Sequence, residues 1–350
     1  MVKAHARKLK PLAEQVIVIT GATSGIGLTT ARMAAARGAK LVLAARNGAA
    51  LDRLAEELRQ SGAKALAVPV DVGVAKQVAA LGNAAVAHFG RIDTWVNNAG
   101  ISVYGRLEDV PLEDQERLFR TNFWGVVHGA TVAQKLMRHG GGVIINLGSE
   151  LSDRAAPLQG MYSASKQAVK GFTDALRIEI EHDRLPLSVT LIRPSGIDTM
   201  LTTHARNYMA HEPELPPPLY APEVVAEAIL YSAQHRQRDV FVGAAARLVS
   251  LSANHVPRVF DQLMRLFVFR QQKAQARSRP GRKDALYRPD GIELRQRQGG
   301  HRSRVHETSL YTFLATRGKP LAAPLIVGTV LLGALLRHAM KTRAVAQPGR

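Results

Sequence analysis

The chain has no cysteine, which excludes disulfides, thiolate catalysis and cysteine-ligated zinc together. Acidic residues are scarce: 28 Asp and Glu stand against 47 Lys and Arg, a formal net charge of +19. Aromatics make up 5% of the residues, few for a surface that stacks bases. No apolar run precedes Val16, so the N-terminus lacks the hydrophobic segment of a secretory signal, and a cytoplasmic body is expected. The 12 histidines include His204 and His211, seven apart with no carboxylates grouped around them, and no metal site is expected.

What is present is unevenly placed. Residues 251–350 hold 19 Lys and Arg against 5 Asp and Glu, whereas the first 250 residues hold 28 against 23. A basic tail on a near-neutral body suggests an anionic partner such as a lipid surface. Nucleic acid is a poor match, because Tyr287 and Tyr311 are isolated and no binding motif accompanies them.

Short β-branched runs alternate with helical patterns through the first 245 residues. Strands are expected at Val16–Thr20, Lys40–Ala45, Ala65–Val70, Thr94–Asn97, Val143–Leu147, Ser188–Ile192 and Val240–Val242. Helices are expected between them, among others over Ala50–Arg59, Leu112–Met137, Tyr162–His182 and Pro222–Ala233. Strands that are apolar throughout are buried on both faces, and their alternation with helices implies an α/β fold with a doubly wound parallel sheet. Such sheets bind ligands beyond the carboxyl ends of their strands. Ser195–Tyr220 is longer than a turn requires and is expected to form a flap over that edge. Leu248–Gln271 reads as an amphipathic basic helix, suited to packing on the body or lying on a membrane. Residues 272–319, rich in Arg, Gln, Gly and Ser, read as a loosely ordered arm. Pro320–Leu336 carries no charge over its length and is followed by Arg337, His338, Lys341 and Arg343. That pattern fits a short membrane anchor, or a helix buried against the body or a second subunit.

Thr20-Gly21-Ala22-Thr23-Ser24-Gly25-Ile26-Gly27 joins the first strand to the first helix. Its glycines permit a tight turn and let backbone approach a pyrophosphate at the positive end of the helix. Tyr162 and Lys166 stand four apart, on one face of a helix, with Ser149 upstream. A cation beside a phenol favours the phenolate, so Lys166 is expected to pull Tyr162 down from its ordinary value near ~10 and make it a usable acid or base.

With Asn97-Asn98-Ala99-Gly100 after the fourth strand, these motifs make residues 12–245 resemble the short-chain dehydrogenase/reductase family. The resemblance implies a Rossmann-like domain of about seven strands that binds NADP or NAD and interconverts an alcohol with a ketone or aldehyde. It implies Tyr162 as acid/base, Lys166 as its modulator and a ribose ligand, Ser149 as the residue orienting the substrate oxygen, and Asn122 as holder of a relay water. The cofactor would be held by Gly21, Thr23, Ser24, Gly25, Ile26, Gly27, Asp71, Val72, Asn98, Ala99, Gly100, Pro194, Gly196, Ile197 and Thr199, besides Tyr162 and Lys166. The sequence has Ala45 where NAD-dependent members resemble one another in carrying Asp. Arg46 follows and can grip a 2′-phosphate through paired hydrogen bonds, so NADP is expected over NAD. Ser195 departs from the family's usual glycine. The resemblance also implies homo-oligomers built through the long helices. The expected organisation is a basic tail (1–11), the catalytic domain (12–245), a helical extension (246–271), the arm (272–319), the apolar segment (320–337) and a basic tail (338–350).

Overall fold

A computed structural model describes residues 9–317, apart from 256, 280, 290 and 302. The start of the N-terminal tail, the apolar segment 320–337 and the basic tail 338–350 lie outside the described residues. Among the described residues, no helix is long and apolar enough to cross a membrane.

Seven strands form the central sheet: β1 (Val16–Thr20), β2 (Lys40–Ala45), β3 (Ala65–Pro69), β4 (Thr94–Asn97), β5 (Gly142–Leu147), β6 (Leu187–Pro194) and β7 (Asp239–Val242). Their order is β7-β6-β5-β4-β1-β2-β3, and every pairing is parallel. The chain thus winds outward from β1 in one direction and returns across it in the other, which opens a crevice beyond β1 and β4. The expected doubly wound sheet is present.

Burial on both faces explains the unbroken apolar strands. Ile17 and Ile19 pack with Leu28 and Ala31 of α1 (Gly25–Ala35), Leu51 and Leu54 of α2 (Gly48–Gln60), and Val225 and Ile229 of α7 (Pro222–Gln234). Their neighbours Val16 and Val18 face the opposite layer. There they meet Val78 and Leu81 of α3 (Ala75–Phe89), Ala133 and Met137 of α5 (Gly125–Met137), and Leu176 and Ile180 of α6 (Gly160–His182). Alternate residues of one strand therefore serve two cores.

The helix expected over Leu112–Met137 is interrupted. Helix α4 (Leu112–Phe119) passes into a π-helical stretch, Arg120–Trp124, before α5 begins. Asn122 is fully buried in that stretch and is clamped to the backbone of Ile101, accepting from its N–H at 2.9 Å and donating to its C=O at 2.9 Å. Such π-bulges form where a tertiary contact displaces the regular ladder.

Beyond β7, helix α8 (Ala244–His255) starts earlier than the expected amphipathic helix, and a new helix begins at Pro257. Proline disfavours helical backbone before it, so one helix becomes two pieces. Phe260 is buried, while Val259, Leu263, Leu266 and Phe267 are exposed.

The arm differs most from its reading as a loosely ordered segment. Lys273–Arg277 pairs antiparallel with His211–Pro213 of the flap. Val305–His306 joins Leu219–Tyr220, which in turn pairs with Gly196–Ile197. The charged residues that suggested disorder have partners far away in sequence. Arg282 meets Glu212 and the carbonyls of Thr202, Thr203 and Ala205; Arg297 meets Glu223 and Glu307; His301 meets the buried Asp198. Polar composition predicts disorder only when such groups lack counterparts.

Candidate active site

A cavity of about 390 Å³ opens beyond the carboxyl ends of β1, β4 and β5, within the size range of small-molecule sites. Ser149, Tyr162 and Lys166 line it, as do Gly21, Thr23, Ser24, Gly25, Ile26, Arg46, Asp71, Val72, Asn98, Ala99, Gly100, Pro194, Gly196, Ile197 and Thr199. Two residues expected at the site, Gly27 and Asn122, do not line the cavity.

Gly27 instead permits the turn. A Cβ there would lie 2.1 Å from Gly21 O and 2.5 Å from Asn98 Nδ2. Gly25 has φ +51°, a left-handed conformation that glycine adopts without strain. Asn98 secures the loop by donating to Thr20 O at 2.9 Å and Gly21 O at 3.2 Å, and the Thr20 hydroxyl accepts from the N–H groups of Asn98 and Ala99. The loop is thus a narrow backbone cradle in front of α1, of a kind that fits a dinucleotide's phosphates. Asp71 accepts from Gly73 N at 2.9 Å and from Arg117 at 2.7 Å. Burial works to raise its pKa, but Arg117, Gly73 and the charge of Arg46 outweigh it and hold the carboxyl below its ordinary value. Ser195 has no positive φ; its hydroxyl donates to Val242 O at 3.1 Å, so the turn after β6 keeps its place without a glycine.

Lys166 is buried and donates to Leu147 O at 2.8 Å. Its Nζ lies 5.7 Å from the centre of the Tyr162 ring. Burial pushes the lysine down to about 8. It pushes Tyr162 up to about 12, against a hydrogen bond with Ser149 that favours the phenolate, while the charge of Glu150 adds to the rise. The expected lowering of Tyr162 by Lys166 is therefore not found in this state, because desolvation dominates both groups. Ser149 opens a short 3₁₀ turn and accepts from Leu151 N at 3.1 Å. The Asn122 amide is committed to Ile101 and to Ser165 Oγ at 3.3 Å.

Other lining residues carry no motif that sequence reading could use. Thr121 is buried, and among the described residues its hydroxyl has no partner. Glu150 lines the cavity beside Ser149, and burial pushes its carboxyl up to about 7. Flap residues 215–218 and extension residues Met264 and Val268 add apolar wall.

The arm closes the cofactor end. Leu294 donates from its backbone to Thr23 O at 2.7 Å, and the Gly25 N–H donates to Arg295 O at 3.0 Å. Arg46 donates to Leu286 O at 3.1 Å and to Ala285 O, and Asn47 donates to Glu293 at 2.6 Å. Leu286 is fully buried in the apolar cluster that contains Tyr162, Ile101 and Leu118. The only sequence hint of this contact is an isolated apolar pair, Leu286-Tyr287, in polar surroundings.

Comparison with known proteins agrees with this geometry. The short chain dehydrogenase family profile matches residues 15–210. The uncharacterized oxidoreductase YxnA of Bacillus subtilis is 43% identical over 333 residues, covering 94% of this chain and 93% of its own. An alcohol dehydrogenase from the archaeon Thermococcus sibiricus, solved with 5-hydroxy-NADP, matches with TM-score 0.58 and 27% identity, over 65% of this chain and 95% of that one. A short chain dehydrogenase/reductase from Burkholderia phymatum, solved with NAD, matches with TM-score 0.64 and 26% identity, over 77% and 100%. With its parallel sheet, glycine cradle and Ser–Tyr–Lys cavity, the chain belongs to the short-chain dehydrogenase family and is a nicotinamide-dependent oxidoreductase acting on CH–OH groups.

Proposed function

We propose that the protein is an NADP-dependent oxidoreductase that interconverts an apolar alcohol and its ketone or aldehyde. The observation that carries this reading is the meeting of Ser149, Tyr162 and Lys166 with the glycine cradle in one apolar-walled cavity. Bound nicotinamide supplies the hydride in reduction and takes it in oxidation. In reduction, the Ser149 hydroxyl donates to the carbonyl oxygen and orients it, and the Tyr162 phenol then gives that oxygen a proton. At neutral pH the phenol is protonated and Lys166 is mostly ammonium, given values of about 12 and about 8. The lysine charge lies 5.7 Å from the centre of the Tyr162 ring, and a cation near the ring favours the developing phenolate over the resting phenol.

Arg46 supports NADP over NAD, since its guanidinium stands at the end of β2 and lines the cavity. Arg46→Ala is expected to raise KM for NADPH by roughly 10- to 100-fold, as expected for losing a charge-assisted pair, while the value for NADH moves little. Tyr162→Phe should abolish turnover across a panel of apolar ketones while NADPH binding, read by fluorescence, is retained; a Phe variant that turns over refutes the proton-donor role.

We further infer that residues 320–337 anchor a cytoplasmic body to a membrane and that the body self-associates through its long helices. Fractionation of the full chain against a truncation before Pro320, and the mass of each in solution, test these two statements separately.

A further inference from the structure

We propose that Glu150 is a specificity-determining residue whose carboxylate receives a second hydroxyl on the substrate, apart from the oxygen held by Ser149 and Tyr162. The inference rests on the oxidoreductase reading above and adds the chemical class of the substrate: an apolar carbonyl compound that also carries a hydroxyl group.

Four observations converge on it. Glu150 directly follows Ser149 and begins the turn Glu150–Ser152, so its side chain is rooted one residue from the group that orients the reacting oxygen. It lines the cavity. Among the described residues its carboxylate has neither a hydrogen-bond donor nor a cationic partner, and burial is the sole influence acting on it. The groups that sense its charge, Tyr162 and Tyr220, are neutral phenols. Among the described residues, a second acceptor lining the cavity is also unmet. Gln272 is fully buried and its Nε2 donates to Pro157 O at 2.6 Å, which fixes the amide orientation and leaves Oε1 without a partner.

The buried Gln272 oxygen is costly unless something donates to it, and the half-buried Glu150 carboxylate lines the same cavity as Met264, Val268 and the prolines of the flap. Water can do so in the resting protein. A wholly apolar substrate would displace that water without replacing its hydrogen bonds, whereas a hydroxylated one restores them. Sites built to hydrogen-bond a substrate hydroxyl reject analogues lacking it more strongly than apolar pockets reject a missing methylene. The wall therefore selects for a donor on an otherwise apolar molecule.

Cyclohexanone and its 2-, 3- and 4-hydroxy derivatives, each assayed with NADPH, test the idea. The wild-type enzyme is expected to prefer one hydroxyketone, and in Glu150→Leu the hydroxy-to-plain ratio of kcat/KM should fall by roughly 10- to 100-fold, the range for a hydrogen bond to a charged group. Glu150→Gln, which keeps an acceptor, should retain part of the preference. A purely structural Glu150 would change both substrates alike, and an unchanged ratio overturns the proposal. Calorimetry of cyclohexanol and the matching cyclohexanediols binding to the NADPH complex of Tyr162→Phe, with and without the added Glu150→Leu change, reads the same ratio without turnover. Absent turnover with a preserved binding ratio would therefore refute the reaction and spare this inference, and the reverse pattern would do the opposite.

Discussion

Replacing Lys166 with Met should make the protein inactive yet more stable at neutral pH. The lysine is buried and its ammonium is held at about 8 rather than the ordinary 10.5. Its folded-state pKa lies below the unfolded one, so the folded state binds fewer protons between these values and wild-type stability rises as pH climbs from about 8 to about 10.5. Below pH 8 the charged lysine costs the fold roughly 3 kcal/mol at most, at ~1.4 kcal/mol for each tenfold change in proton affinity. Methionine has a similar length and no charge, but it leaves Leu147 O without its 2.8 Å donor, a loss of about 1 to 2 kcal/mol. The net expectation at pH 7 is a variant more stable by about 1 to 2 kcal/mol, seen as a higher urea midpoint at unchanged slope. The lost hydrogen bond does not depend on pH, and the charge cost does. The gap between variant and wild type should therefore shift by roughly 2 to 3 kcal/mol between pH 7 and pH 10, in favour of wild type. Tyr162, whose raised value stabilises the fold below pH 10 and loses that effect toward 12, is common to both proteins and cancels. Parallel stability curves across that range would refute the claim that desolvation sets the lysine's state.

Gly27→Ala should cost about 1 to 3 kcal/mol, read by thermal unfolding, and should weaken NADPH binding, because the added methyl would sit 2.1 Å from a backbone oxygen that cannot move aside. Arg193→Met should destabilise by roughly 3 kcal/mol in urea, since Arg193 pairs with the buried Asp153 at 2.7 Å and with Asp239 at 3.2 Å. Leu286→Asp should lift the arm, increase hydrogen exchange over residues 284–296 and tighten NADPH binding; weaker binding would mean that the arm is a wall of the cofactor site rather than its cover.

Residues that act through local pattern are readable in the chain. The stretch 16–19 is apolar at every position because it serves two cores, and the glycine spacing after it has few other uses. Tyr162 and Lys166 are placed by helix geometry alone. What stays hidden depends on contacts distant in sequence. Thr121, Asn122 and Phe123 are only mildly unfavourable in an α-helix and do not single out a π-turn, which coincides with Asn122 closing on Ile101, some twenty residues earlier. The arm reads as disordered when its Arg and Gln residues are counted without Glu212, Asp198 and Glu223, which pair with it. The rise of the Tyr162 pKa is hidden for the same reason: sequence shows the neighbouring cation but not the burial that overrides it.

If a dinucleotide binds through the groups that the arm now holds, the seated arm and the cofactor would compete for them. The Gly25 N–H, the Arg46 guanidinium and the Asn47 amide, which a dinucleotide would use, are satisfied by Arg295, Ala285, Leu286 and Glu293. A segment on the same chain is present at an effective concentration on the order of millimolar, and apparent cofactor affinity falls in proportion to the fraction of molecules in which it is seated. Leu294 holds a left-handed φ of +61° within this contact, a conformation costing about 1 to 2 kcal/mol. Dinucleotide concentration would then help set how much of the protein is open, and anything that binds the displaced arm would add to the open fraction without touching the catalytic residues.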